Sequence, residues 1–311
     1  MSTVIQVRNL TKQFDGFRAV SDLSFDVPGG EIYGFLGQNG AGKSTTIRML
    51  LTLIRPSGGT IEILGMNLEK HRQEILRQVG AIIERPDLYK YLTGFENLRL
   101  FAALNKVQLS RTQLMEQLER VGLADRANSK VRTYSQGMKQ RLGIAIALVH
   151  DPALVVLDEP TNGLDPQGIA DMRNLILHMS RHLKKTVLVS SHLLSEMELI
   201  ADNMLIIDKG KKVVEGRARE LFNPLETVVE LKTDAIGTAW EKIGNSAWKS
   251  YRIDRRTDRI LLKMPHSELP ALAVALHQMD IPIYSFHPKN SLEDYFLSLT
   301  SANQHVESFT N

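Results

Sequence analysis

With 311 residues the chain has the length for one large core or two domains, and its net charge of +3 is too small to mark it as a nucleic-acid binder. Apolar (43%) and charged (23%) fractions are ordinary for a globular protein, and no apolar run approaches the length of a membrane span. The absence of cysteine excludes disulfides and thiolate metal sites, and the opening M-S-T-V-I-Q-V-R lacks the layout of a secretory signal, so a cytosolic setting is expected.

Residues 4–10 alternate and predict a strand; 23–27 predict another, ended by the Pro28-Gly29-Gly30 turn, with Phe14 and Phe17 flanking Asp15-Gly16 in the loop between. A short apolar run at 32–36 suits a buried strand. From Lys43 onward Ile47, Leu50 and Leu51 recur at helical spacing. Between that strand and helix lies Gly37-Gln38-Asn39-Gly40-Ala41-Gly42-Lys43-Ser44, the pattern G-x-x-x-x-G-K-S. Three glycines let the backbone curl and aim several N–H groups at one anion, above a helix N-terminus that carries partial positive charge. Lys43 supplies a full charge for the β- and γ-phosphates, and the Ser44 hydroxyl can ligate Mg²⁺. The loop is expected to bind a triphosphate.

Strands follow at 60–64 and 79–83. From Arg85 to His150 the pattern turns helical, with helices at 93–104, 110–121 and 135–149 that open on capping-type residues. Strands return at 153–157, 186–190, 204–208 and 211–215, with helices at 167–183 and 193–200. The alternation implies a largely parallel α/β sheet interrupted by a helical insertion. After Phe222-Asn223-Pro224 the pattern restarts: strand 227–232, helix 235–243, strands 248–253 and 259–264, helix 267–279, strand 281–286. That β-α-β-β-α-β order is the ferredoxin-like arrangement. A short helix at 291–299 and a polar tail expected to be disordered close the chain.

Two further clusters bear on chemistry. Leu154-Val155-Val156-Leu157 runs into Asp158 and Glu159, and the carboxyl end of a buried parallel strand is where α/β sheets place ligand groups. Asp158 is placed to hold Mg²⁺, and Glu159 is a candidate general base for an attacking water. Such a pair alone is also a common turn; the phosphate loop upstream gives it weight. His192 follows the strand at 186–190 in the same way and can reach the γ-phosphate, although a lone histidine is more often structural. Ser135 and Gly137 open a helix whose N-terminus is a second anion site or a plain cap.

Across about residues 1–222 this set resembles the nucleotide-binding subunit of an ABC transporter. The resemblance implies a P-loop NTPase nucleotide-binding domain at 1–222, with a helical subdomain at about 85–150, and a small C-terminal α+β accessory domain at 223–311. Residues 37–44, with Thr45, match the Walker A loop, and 154–158 the Walker B strand. Glu159 falls at the catalytic glutamate, Asp165 in the D-loop and His192 at the switch histidine. Residues 134–138 match the signature motif. The family pairs two such domains head to tail, so Ser135 and Gly137 would act on ATP held by the partner. Phe14 falls at the position that stacks on adenine, with Val20 nearby and Phe17 competing.

Two motifs depart from the pattern. The signature reads Y-S-Q-G-M rather than L-S-G-G-Q, and Glu84 stands where the family carries a Mg²⁺-ligating glutamine. Glu84 is expected to keep that metal role with an added negative charge. The run from Glu84 to Leu98, together with Ser291-Leu292-Glu293-Asp294-Tyr295-Phe296, is similar to the ATPases of ABC-2-type exporters, including bacitracin and lantibiotic self-protection systems. The resemblance implies ATP and Mg²⁺ as ligands, a second ATPase subunit, and a separate membrane permease that holds the chain on the inner face of the membrane. Tyr89, Tyr91, Leu92 and Phe95 form either the permease docking surface or local core. A soluble ABC ATPase of translation or DNA repair, and an importer ATPase, are the competing readings. The C-terminal domain can be regulatory, dimerising or supporting.

Overall fold

The computed structural model describes residues 3–221 and 227–289. They divide into two compact units, Met1–Ala218 and Arg219–Asn311. The boundary at Phe222-Asn223-Pro224, the helix expected at 291–299 and the tail lie outside the described residues.

The first unit has two sheets where one was expected. Thr3–Phe14 and Phe17–Pro28 form a long antiparallel hairpin, extended by Gly58–Ile63 and Met66–Asn67. The sequence caught only the middles of the two hairpin strands. Phe14 and Phe17 are the last cross-strand pair rather than loop residues, because Gly16 at φ 81° closes the turn. These strands alternate buried and wet positions, as an antiparallel sheet with one covered face does.

The second sheet is ordered Lys211–Arg217, Asn203–Asp208, Ile32–Leu36, Thr186–Ser191, Leu154–Asp158, Val79–Ile83. All neighbours run parallel except the antiparallel edge strand Lys211–Arg217. Every residue of Ile32–Leu36, Leu154–Asp158 and Thr186–Ser191 is buried, which is why they read as unbroken runs. The core joins both sheets: Phe25 of the hairpin stacks on Tyr33 and Phe35, with ring centroids 6.1 and 5.7 Å away.

The helical insertion carries Gly94–Leu104, Arg111–Arg120 and Gln136–Leu148, capped by Thr93, Ser110 and Ser135. Thr93 with Glu96 and Ser110 with Gln113 are reciprocal capping boxes. Asn97, fully buried, accepts from the Tyr89 amide and donates to the Tyr89 and Thr93 carbonyls, fixing the loop ahead of its own helix.

The second unit is an antiparallel sheet ordered Arg252–Arg255, Ile260–Met264, Thr227–Lys232, Ser285–Lys289, with helices Ile236–Gly244 and Leu269–Gln278. In order of appearance the strands lie 2-3-1-4, the ferredoxin-like order. Its own core includes Val229, Leu231, Ile243, Leu262 and Leu272. Two predicted strands moved. Residues 247–251 form a 3₁₀ turn capped by Ser246, so the strand starts only at Arg252. The last strand begins at Ser285 rather than Ile281, beyond Pro282, which has no amide to donate. No helix of the described residues is long and apolar enough to cross a membrane.

Candidate functional site

Four parallel neighbours release the chain at one edge of the six-stranded sheet. Ile32–Leu36 leads into the loop at 37–42, Thr186–Ser191 into His192, Leu154–Asp158 into Glu159, and Val79–Ile83 into Glu84. Carboxyl ends of adjacent parallel strands are where such sheets collect ligand groups.

The loop turns through Gly42, at φ 105°, the residue ahead of helix Lys43–Leu50. A side chain at 42 would be strained by the backbone and would lie 2.7 Å from the Ala19 carbonyl oxygen. At Gly37 a Cβ would sit 2.6 Å from the Ile207 carbonyl oxygen. The loop is pinned from below: Ala41 N–H donates to Gln38 O (3.1 Å) and Gly210 N–H to Ala41 O (2.9 Å). Asn39 and Gly40 are exposed, Ser44 and Thr45 half-buried in the first helical turn. Lys43 folds back under the loop, 5% exposed, and donates to the carbonyls of Gly37 (2.6 Å) and Gln38 (3.2 Å).

The carboxylates complete the arrangement. Lys43 Nζ lies 3.2 Å from Glu159 Oε1, and the other oxygen, Oε2, is 2.7 Å from His192 Nδ1. Glu159 thus stands between the loop lysine and the histidine, on a backbone in the left-handed region at φ 51°. Asp158 is fully buried. Its Oδ1 accepts a hydrogen bond from Ser190 Oγ (2.5 Å), and the same Ser190 oxygen accepts from the Glu159 amide (2.9 Å). Oδ2 of Asp158 is buried, with no hydrogen-bond partner among the described residues. An orphaned carboxylate oxygen at this place fits a cation. Among the described residues no three His, Asp or Glu side chains converge on one point, so the protein alone makes no metal cage. That donor set suits Mg²⁺, which keeps water and substrate phosphate in its shell and takes one or two protein oxygens.

The remaining predicted site residues lie as follows. Phe14 and Phe17 are exposed at the hairpin tip, and Lys12 Nζ sits 4.8 Å from the Phe14 ring centre. Val20 is fully buried beside Gly42. Ser135 Oγ accepts from the Met138 amide as a helix cap (3.2 Å), while a Cβ at Gly137 would touch only Leu164 Cδ2, at 4.0 Å. Asp165 caps helix Pro166–Arg181 by accepting from the Gly168 amide (3.0 Å). Glu84, at φ 57°, turns its carboxylate outward to Arg48 Nη2 at 2.6 Å. The structure therefore gathers Lys43, Asp158, Glu159 and His192 around the loop, and it ties Glu84 to Arg48 on the surface.

Sequence reasoning gave Ser190 no role, although it lies near the end of its strand, two residues before His192. Its only sequence signal was a hydroxyl directly after the apolar Val187-Leu188-Val189 run. Tyr89, Tyr91, Leu92 and Phe95, left open between surface and core, separate: Phe95 is buried and Leu92 half-buried, while Tyr89 and Tyr91 are exposed.

Comparison with known proteins agrees with this geometry. Residues 20–162 match the ABC transporter family model. An uncharacterized ABC transporter ATP-binding protein of Bacillus subtilis, YhcH, is 40% identical over 96% of this chain and 97% of its own length. The bacitracin transport ATP-binding protein BcrA of Bacillus licheniformis is 49% identical over 69% of this chain and 70% of its own. Among solved structures, an ATP-binding subunit of an ABC transporter superposes with a TM-score of 0.62 at 32% identity, covering 70% of this chain and 92% of that one. Sequence, sheet order and the lysine–carboxylate–histidine cluster converge: the chain belongs to the ATP-binding proteins of ABC transporters.

Proposed function

We propose that this chain is the Mg²⁺-dependent ATPase subunit of an exporter whose membrane-spanning part is a separate polypeptide. The observation that carries the chemistry is Glu159 held between Lys43 and His192 at the mouth of the phosphate loop. Phosphate entering the loop takes over the charge of Lys43, which frees Glu159 Oε1. Glu159 then accepts a proton from the attacking water as the oxygen–phosphorus bond forms and the β–γ bridge breaks, giving ADP and phosphate. His192 keeps the carboxylate aimed. Ser44 and Asp158 Oδ2 would hold Mg²⁺, with Glu84 a further donor once released from Arg48. The ion, when bound, neutralises charge on the transferring phosphoryl group.

Ser135 and Gly137 serve the second copy of the ATPase. Gly137 lies in a helix, where glycine costs stability, and among the described residues none crowds the space, Leu164 alone coming within 4.0 Å. That supports close approach by something outside the chain, here nucleotide carried by the partner subunit with Asp165 alongside. Phe14, exposed at the hairpin tip, stacks on the adenine. The permease docks on the loop fixed by Asn97. Leu88, Tyr89, Tyr91, Leu92 and Leu100 line a shallow cavity of about 550 Å³ there, with Tyr89 and Tyr91 54% and 82% exposed. Docking would hold the chain on the inner face of the membrane. The relationship to a bacitracin transport ATP-binding protein supports export over import and over a soluble role.

Two variants test the reading. Glu159→Gln keeps the turn and the volume but cannot take the proton. It should bind ATP, lose turnover by about 10²-fold or more, and elute as an ATP-trapped dimer on size exclusion. Lys43→Ala should lose nucleotide binding. Full turnover by Glu159→Gln removes the general base from Glu159. Co-purification of the chain with an integral membrane protein distinguishes transport from a soluble role.

A further inference from the structure

We infer that Ser190 is a positioning residue for the reaction, one hydroxyl that sets both acidic groups at once. The inference rests on the nucleotide reading of the site. Ser190 is fully buried, and its Oγ makes two contacts with opposite roles. It donates to Asp158 Oδ1 at 2.5 Å and accepts from the backbone N–H of Glu159 at 2.9 Å. A serine hydroxyl has one proton to give and lone pairs to receive, so this two-sided use leaves its orientation no freedom.

Each contact has a separate consequence. The donated proton occupies Oδ1, so Asp158 presents Oδ2 as its remaining free oxygen, and that oxygen is the buried one without a partner. Rotation of the carboxylate about its terminal bond is thereby blocked, and one defined lone-pair face is left for a cation. The accepted proton belongs to the amide at the start of a left-handed turn, φ 51°, a conformation that is disfavoured for a side chain with a Cβ. Ser190 holds that amide and with it the direction in which the Glu159 side chain leaves the strand, toward Lys43 and His192. The parallel register places Ser190 directly opposite Asp158, so the bridge crosses between neighbouring strands without a loop intervening.

The position suits serine in particular. Alanine would fill nearly the same buried space and lose both contacts. Threonine keeps the oxygen and suits a strand. Neither touches the phosphate loop or Lys43, so nucleotide binding without metal should survive both substitutions.

The experiment compares wild type, Ser190→Ala and Ser190→Thr in three measurements: binding of a fluorescent ATP analogue in EDTA, Mn²⁺ affinity by EPR in the presence of ADP, and steady-state turnover against Mg²⁺. In Ser190→Ala, binding in EDTA should match wild type, Mn²⁺ affinity should fall about tenfold or more, and turnover should fall about 10- to 100-fold. Ser190→Thr should recover most of both. Wild-type Mn²⁺ affinity and turnover in Ser190→Ala overturn the inference. So does loss of analogue binding in EDTA together with a lowered melting temperature in both variants, which marks a packing role. Failure of the nucleotide reading looks different: wild type itself then neither binds the analogue nor turns over ATP.

Discussion

At His150 the carbonyl of Val79 can only accept, so Nε2 carries the proton of their 3.2 Å hydrogen bond, and Nδ1 is buried with no partner among the described residues. Burial pushes the histidine below its ordinary pKa; the Val79 hydrogen bond and Asp151 offset this in part, and Lys185 adds to it. A folded-state pKa below the unfolded value means that the unfolded chain binds the extra proton first. The stabilisation is therefore complete above the unfolded value of about 6.5 and is lost as pH falls through the lower folded value. Urea unfolding from pH 7.5 to 5 should show wild type losing more stability on acidification than His150→Gln, which keeps a donor for Val79. Parallel pH profiles for the two proteins count against a buried neutral ring. At this scale the sequence was legible in placement: Lys43 opens its helix, Asp158 ends its buried strand and Glu159 follows it, as their pattern reads. It was silent where a side chain works through a distant partner. Nothing in the spacing of Arg48 and Glu84, or of Ser190 and Asp158, announces their contacts: a helix passing beside the end of a strand brings the first pair together, and strand register the second.

Helix Gln136–Leu148 shows what an element can hide. Ser135 caps it, and Gly137 sits in its first turn with open space beside it. Gly137→Ala should leave the melting temperature of the nucleotide-free chain unchanged or raised, by up to ~1 kcal/mol of helix propensity. ATP-dependent pairing of the Glu159→Gln protein should be lost in the double variant, and turnover of Gly137→Ala should fall on the order of 10²-fold through misplaced contact. A variant that pairs normally would mean that no partner approaches this turn. Element types were widely predictable. Fully buried parallel strands read as apolar runs, and capping residues marked the helix starts at Thr93, Ser110 and Ser135. Misplaced elements had local causes: the hairpin outran its apolar pattern because its outer residues face water, and Pro282 delayed the last strand.

Over the whole molecule, each of the two units has buried core residues of its own among the described residues. The only two tryptophans, Trp240 and Trp248, both pack against the core of the second unit. Tryptophan fluorescence therefore reports that unit, whereas far-UV circular dichroism is weighted toward the larger first one. The two probes should give separate denaturant midpoints. ATP with Mg²⁺ should raise the dichroism midpoint and leave the fluorescence midpoint in place, because ligand stabilises only what binds it. A fluorescence midpoint that rises equally would show the two units unfolding together.

The left-handed backbone at Glu159 has a cost that reaches past mechanism. Asparagine or glycine would relax that turn by about 1 kcal/mol, and either would remove the acid. On the proposed mechanism, a laboratory selection that rewards heat resistance alone would drift toward a sturdier protein without turnover. Breeding a hardier version of this protein then calls for scoring activity in every round, or for holding position 159 out of the library.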